Sequence, residues 1–211
     1  MKIAILLFDR FTSLDAVGPY EILARVPGAE VVFVAAERGE VRADRGSLAL
    51  VADATLDEVD SADLLLVPGG PGSREALSDP VLLDWIRRVD ATTEWTTSVC
   101  TGSLLLASAG LLKDRAATSH WNALELLGSL GALPTSERVV LDGKYATAAG
   151  VSSGIDLALT LVGRIAGERV AQQIQLLTEY DPEPPYDAGS VAKAPAEIVE
   201  LLRANNLAIT G

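Results

Sequence analysis

Short runs of Val, Ile and Leu, each followed by a stretch of helical period, constrain this chain more than any other feature of its sequence. The runs are continuously apolar rather than alternating. A strand buried on both faces requires that pattern, and parallel sheets covered by helices on both sides supply such burial. They lie at Lys2–Phe8, Glu30–Ala36, Leu64–Pro68 and Glu94–Val99, with a shorter run before His120 and a hairpin through Arg138–Leu141 and Lys144–Ala148. Between them, apolar residues recur at spacings of three and four over Asp15–Val26, Ser73–Val89, Gly102–Ala109, Trp121–Leu130 and Ser153–Ile165, predicting covering helices. Turn residues Asp44, Arg45 and Gly46 within Val41–Leu56 predict a small two-stranded excursion. The expected class is therefore α/β, with a mostly parallel sheet between two helical layers.

At 211 residues, with no repeat or linker, residues 1–211 are expected to form a single domain. The proline-rich Asp181–Tyr186 reads as a loop, and Ala196–Arg203 as a further helix after which the last residues fray. A net charge of −12, with Lys and Arg scattered, excludes nucleic acid as an expected partner. Met1-Lys2 leads into an apolar stretch too short for a signal core or a membrane span, so no membrane association is expected. One cysteine cannot form an intramolecular disulfide, which points to a reducing, cytoplasmic setting.

That cysteine stands where a β-branched run stops and a Leu- and Ala-rich helix begins, in Thr96-Thr97-Ser98-Val99-Cys100-Thr101-Gly102-Ser103. The arrangement predicts a nucleophile elbow, with the side chain held above the sheet at the carboxyl ends of the strands. A helix N-terminus favours an anion, so the thiol is expected to ionise more readily than a free one. A buried structural thiol is the competing reading. Leu66-Val67-Pro68-Gly69-Gly70-Pro71-Gly72 ends a neighbouring strand. There the N–H groups of Gly70 and Thr101 would form an oxyanion-hole-like pair, against the alternative of a plain glycine turn.

Asp15 opens the first helix among apolar neighbours. It reads either as a helix-start cap or as a partly desolvated proton carrier beside the thiol. Glu21 is the competing carboxylate and is better explained by solvent. The only histidine, His120, could serve a Cys–His pair, but no orienting acid is evident and a structural role is as good.

Together, the Gly-Gly turn, the cysteine elbow and the early acid resemble the ThiJ/PfpI superfamily, which has a flavodoxin-like fold of the class I glutamine amidotransferase type. Within it, Leu14-Asp15-Ala16-Val17-Gly18-Pro19, Ser98-Val99-Cys100-Thr101-Gly102-Ser103, Ala117-Thr118-Ser119-His120-Trp121, Gly154-Ile155-Asp156 and Tyr180-Asp181-Pro182-Glu183-Pro184-Pro185-Tyr186 are similar to isocyanide hydratases. The resemblance implies Cys100 as nucleophile, Asp15 as acid–base group and Thr101 as the adjacent pocket residue. It also implies a homodimer, a small-molecule isocyanide substrate, and neither metal nor organic cofactor. Peptidase-like members place a histidine directly after the cysteine, where this chain has Thr101, and glyoxalase-like members use glutamate where it has Asp15. Trp121, Val151 and Ile155 are expected to line the substrate pocket, with core packing as the alternative for each. Glyoxalase or deglycase chemistry, ligand sensing and redox sensing are the rival functions.

Overall fold

In the computed structural model, which describes residues 1–204, strand β1 (Lys2–Leu6) stands near the middle of the main sheet and sends alternate side chains into two cores. Ala4 and Leu6 enter one, Ile3 and Ile5 the other, which is why the run is apolar without interruption. Helix α1 (Ser13–Leu23) follows, then β2 (Glu30–Ala35), the excursion β3 (Gly39–Arg42) and β4 (Ala49–Ala52), and a two-residue strand β5 (Ala54–Thr55). Next come β6 (Leu64–Val67), α2 (Ser73–Ala76), α3 (Pro80–Asp90), β7 (Trp95–Val99) and α4 (Gly102–Ser108). The chain continues through β8 (Ala116–Ala117), α5 (Leu124–Ser129), β9 (Leu133–Pro134), β10 (Val139–Asp142) and β11 (Tyr145–Ala148), and closes with α6 (Ser153–Ile165), α7 (Glu168–Leu177) and α8 (Ala196–Ala204).

The 7-stranded sheet has the order β10-β11-β7-β6-β1-β2-β5, parallel except for the β10–β11 hairpin. From β1 the chain moves outward to β2, then returns to the other side of β1 as β6. That reversal opens a crevice at the strand carboxyl ends, where open α/β sheets bind ligands. The α/β class, with a mostly parallel sheet between helical layers, is thus the observed one. β3 and β4 form the expected separate antiparallel pair, and β8 pairs with β9 in another.

Three departures have local causes. The helix expected over Ser73–Val89 is two helices, because Asp79 caps the N–H groups of Val81 and Leu82 and Pro80 starts α3 afresh. The strand part of the excursion ends at Ala52, and Ala54–Thr55 rejoins the main sheet beside β2. Helix α7 was not expected: Arg169, Gln172, Gln173 and Gln175 make it mostly polar, and Ile174 is its buried contact. The expected helix over Ala196–Arg203 is present as α8, whereas the fraying expected of the last residues falls outside the described ones.

Trp85 anchors the core between the sheet and α3, fully buried, with its indole N–H donating to the Val59 carbonyl at 2.7 Å. Trp85→Ala should therefore cost about 3–5 kcal/mol, read as a lower midpoint in urea unfolding.

Candidate active site

At the carboxyl end of β7 the chain turns so sharply that Cys100 takes φ 57°, a left-handed conformation uncommon for a residue with a side chain. Several bonds hold it there. The Cys100 N–H donates to the carbonyls of Ala148 and Ala149, while the buried hydroxyls of Ser103 and Ser119 donate to the Cys100 carbonyl at 3.2 and 3.0 Å. The expected elbow is present. It works only with glycine at 102, because a Cβ there would lie 2.1 Å from the Val67 carbonyl oxygen.

Asp15, in the first turn of α1, is fully buried and does not cap the helix, whose N-cap is Thr12. One carboxyl oxygen, Oδ2, accepts the Gly69 N–H at 2.9 Å, and the carboxyl also bonds the Cys100 side chain. Its Oδ1 meets no N–H or O–H donor. Burial drives the carboxyl from its ordinary 3.8 up to about 8, against the pull of Gly69 and Cys100. Asp15 is therefore protonated at neutral pH.

The sulfur receives hydrogen bonds from the N–H groups of Val151 and Thr101 and from the Thr101 hydroxyl. These lower the thiol pKa, but burial, and then the Asp15 charge, push it up more strongly. The expected acidification by the helix N-terminus is thus outweighed by desolvation. Two groups this close cannot both ionise. When the thiol gives up its proton, three donors are aimed at sulfur against one at Asp15, so the charge is better accommodated on Sγ with the proton kept on the carboxyl.

The oxyanion pair expected of Gly70 and Thr101 is not formed. The Gly70 N–H donates instead to the Thr101 hydroxyl at 2.9 Å, and Ser73 donates to the same oxygen at 3.0 Å. With both lone pairs occupied, the Thr101 hydroxyl proton is directed outward, toward Sγ or the Gly70 carbonyl at 3.3 Å. The neighbouring Gly69 contacts the pair directly, and a Cβ there would sit 2.4 Å from the Thr101 nitrogen and 3.0 Å from Asp15 Oδ2. Thr101→Val should strand the Gly70 N–H and the Ser73 hydroxyl. We expect it to lower stability by about 2–4 kcal/mol, a fall of several degrees in Tm by calorimetry.

Beside this centre lies a cavity of about 760 Å³. Trp121 and Val151 line it, as expected. Val151 also gives its main-chain N–H to sulfur from a strained φ of 24°. Ile155 does not line the cavity: its side chain packs against Gly18, in the contact between α1 and α6. His120 lines the cavity without a hydrogen bond to Cys100, and its Nδ1 accepts the Asn122 N–H at 3.3 Å. Burial lowers its pKa, so the ring is neutral. Glu21 is exposed and paired with Arg25 at 2.8 Å, as a solvated carboxylate should be. Sequence reading missed Gly69, Ser73, Val151 as a main-chain donor, and Ser119. The GG pair and the hydroxyl residues flanking the elbow were the available signals.

Against known proteins, the model of the DJ-1/PfpI family matches residues 1–164. The chain belongs to that family. Isonitrile hydratase from Pseudomonas putida is 42% identical over 203 residues, spanning 96% of this chain and 89% of that protein. A helix-turn-helix transcriptional regulator from Pseudomonas aeruginosa is 35% identical over 143 residues, which is 67% of this chain and 42% of the regulator. Among solved structures, a ThiJ/PfpI family protein from Pseudomonas syringae superposes with a TM-score of 0.95 at 38% identity, covering 99% of this chain and 87% of its own. Among the described residues, no group of three or more His, Cys, Asp or Glu side chains could hold a metal ion, and no helix is long and apolar enough to cross a membrane.

Proposed function

We propose that the protein is an isocyanide hydratase, converting R–NC and water to the N-substituted formamide, with Cys100 as nucleophile and Asp15 as the proton carrier. The observation that carries this reading is a fully buried carboxyl bonded to the cysteine, where burial favours its protonated form, in a site whose Gly70 N–H is already engaged. Attack of sulfur on the terminal isocyanide carbon develops negative charge on that same carbon. Such a carbon needs a proton beside the sulfur, not a distant oxyanion hole. Carbonyl substrates make the opposite demand, because their charge develops on oxygen.

In the proposed sequence the Cys100 thiolate forms the C–S bond while Asp15 protonates the same carbon, giving a thioimidate, R–N=CH–S. The Asp15 carboxylate then takes a proton from water as the hydroxide adds to that carbon, and returns it to nitrogen. Breaking the C–S bond releases thiolate, and the hydroxyl proton returns to Asp15, leaving R–NH–CHO and the starting pair. Covalent catalysis divides one difficult addition into two easier ones. Cys100 is only 4% exposed, which suits a linear terminal group that can reach it end-on.

The same reading takes the enzyme to be cytoplasmic and homodimeric, and to need neither metal nor organic cofactor. It is tested by measuring formamide from a panel of alkyl and aryl isocyanides alongside consumption of methylglyoxal. Formamide without methylglyoxal turnover supports the hydratase, and the reverse result assigns carbonyl chemistry instead.

A further inference from the structure

Among the described residues, the cavity beside Cys100 is lined by Arg138, Arg203 and His120 and by no acidic side chain, in a chain that carries 29 of them. From that segregation we propose that the natural substrate is an isocyanide bearing a carboxylate, held by Arg203 at the end remote from the reacting carbon. The proposal rests on the hydratase reading and refines it. The neutral walls expected for a purely hydrocarbon substituent are only part of what is there.

The cavity reaches the neighbours of the nucleophile, since Val151, whose N–H bonds the sulfur, and Ser119, whose hydroxyl bonds the Cys100 carbonyl, are both in its wall. It extends to Val191, Ala192 and Arg203. Trp121 and Leu124 give it an apolar flank, suited to the body of a small organic molecule. Thr118, 1% exposed, has a hydroxyl with no hydrogen-bond partner. His120 accepts at Nδ1, so the neutral ring carries its proton on Nε2.

The two guanidinium groups differ. Arg138 is neutralised by Asp156 at 2.7 Å. Arg203 lies 5.8 Å from the centre of the Trp121 ring and has no ion-pair partner among the described residues. A guanidinium placed on an aromatic face, with no carboxylate paired to it among the described residues, is suited to bind a carboxylate in two-point fashion. An overall charge of −12 repels an anionic ligand, so a local cation is needed to admit one. By contrast, the crevice near Phe8 and Leu56 is walled by Asp9, Glu37, Glu40, Glu75 and Asp79, so a cavity free of acids is not the rule in this molecule.

The test compares isocyanoacetate with its methyl ester, which keeps the skeleton and removes the charge. Wild type should show a kcat/KM about ten- to hundredfold higher for the acid. Arg203→Gln should collapse that ratio toward one, chiefly through the KM of the acid, and Arg203→Lys should restore part of it. Raising sodium chloride should erode the acid's advantage and leave the ester's rate in place. Hydration of the ester with no preference for the acid, or a preference that survives Arg203→Gln, overturns the carboxylate proposal while sparing the hydratase reading. Failure to hydrate either compound overturns both.

Discussion

Cys100→Ala is expected to reduce formamide production to the uncatalysed rate while the protein still folds. The side chain is small and buried, and the bonds that hold the elbow run through the main chain of residue 100 and so survive the change. Loss of a nucleophile removes the covalent route altogether. The decrease in kcat should therefore exceed about a thousandfold, with Tm within a few degrees of wild type. Formamide release and a calorimetric scan on the same preparation measure both. Retained turnover would assign the chemistry elsewhere.

Asp15→Asn should disable the enzyme and stabilise it at once. The amide can still accept the Gly69 N–H, but it cannot deliver a proton, and a drop of about a hundredfold or more in kcat follows from the loss of general acid catalysis. The effect on stability follows from linkage. In the unfolded chain the carboxyl titrates at its ordinary 3.8, whereas burial holds it near 8 in the folded protein. Its contribution is fully present below pH 3.8 and is lost as pH rises toward about 8, because the unfolded chain ionises first. At pH 7 the aspartate is therefore a cost, on the order of a few kcal/mol, that the amide avoids. The variant should melt several degrees above wild type at pH 7, and the gap should close as pH falls toward 4. In the wild type, turnover should decline as pH passes about 8, when the carboxyl loses the proton it must donate. A variant that melts below wild type at pH 7 and above it at pH 4 would reverse the assigned sign.

How far the sequence anticipates this structure depends on which interaction decides each feature. The sheet was legible because burial on both faces leaves uninterrupted apolar runs such as Ile3–Leu7 and Leu64–Val67. The elbow was legible because a β-branched run, a cysteine and a glycine-initiated helix meet at one point. Helix α7 was not anticipated, since Val170, Ile174 and Leu177 form a narrow stripe among polar residues. The charge balance at Cys100 departs from the sequence expectation for another reason. A helix N-terminus is visible in sequence, while the desolvation that outweighs it depends on how tightly α1 and the Gly69–Gly70 turn close over the thiol. Val151 shows a similar limit: the sequence points to its side chain, but its main-chain N–H is what meets the sulfur. Backbone donors leave no residue-type signature.

The same chemistry explains why glycine is needed where Asp15, Thr101 and Cys100 converge. A Cβ at position 69 would push into the Thr101 nitrogen, and one at position 102 into the Val67 carbonyl. Glycine at 69 lets that backbone lie against both Thr101 and Asp15, and glycine at 102 lets the start of α4 lie against the end of β6.

The most direct test of the covalent mechanism is a single-turnover experiment with enzyme in excess over a radiolabelled isocyanide, quenched in acid at millisecond intervals and mapped to peptides. Label on the peptide containing Cys100, rising before formamide and decaying as formamide appears, is the predicted result. Formamide formed with no label on that peptide at any time would contradict it.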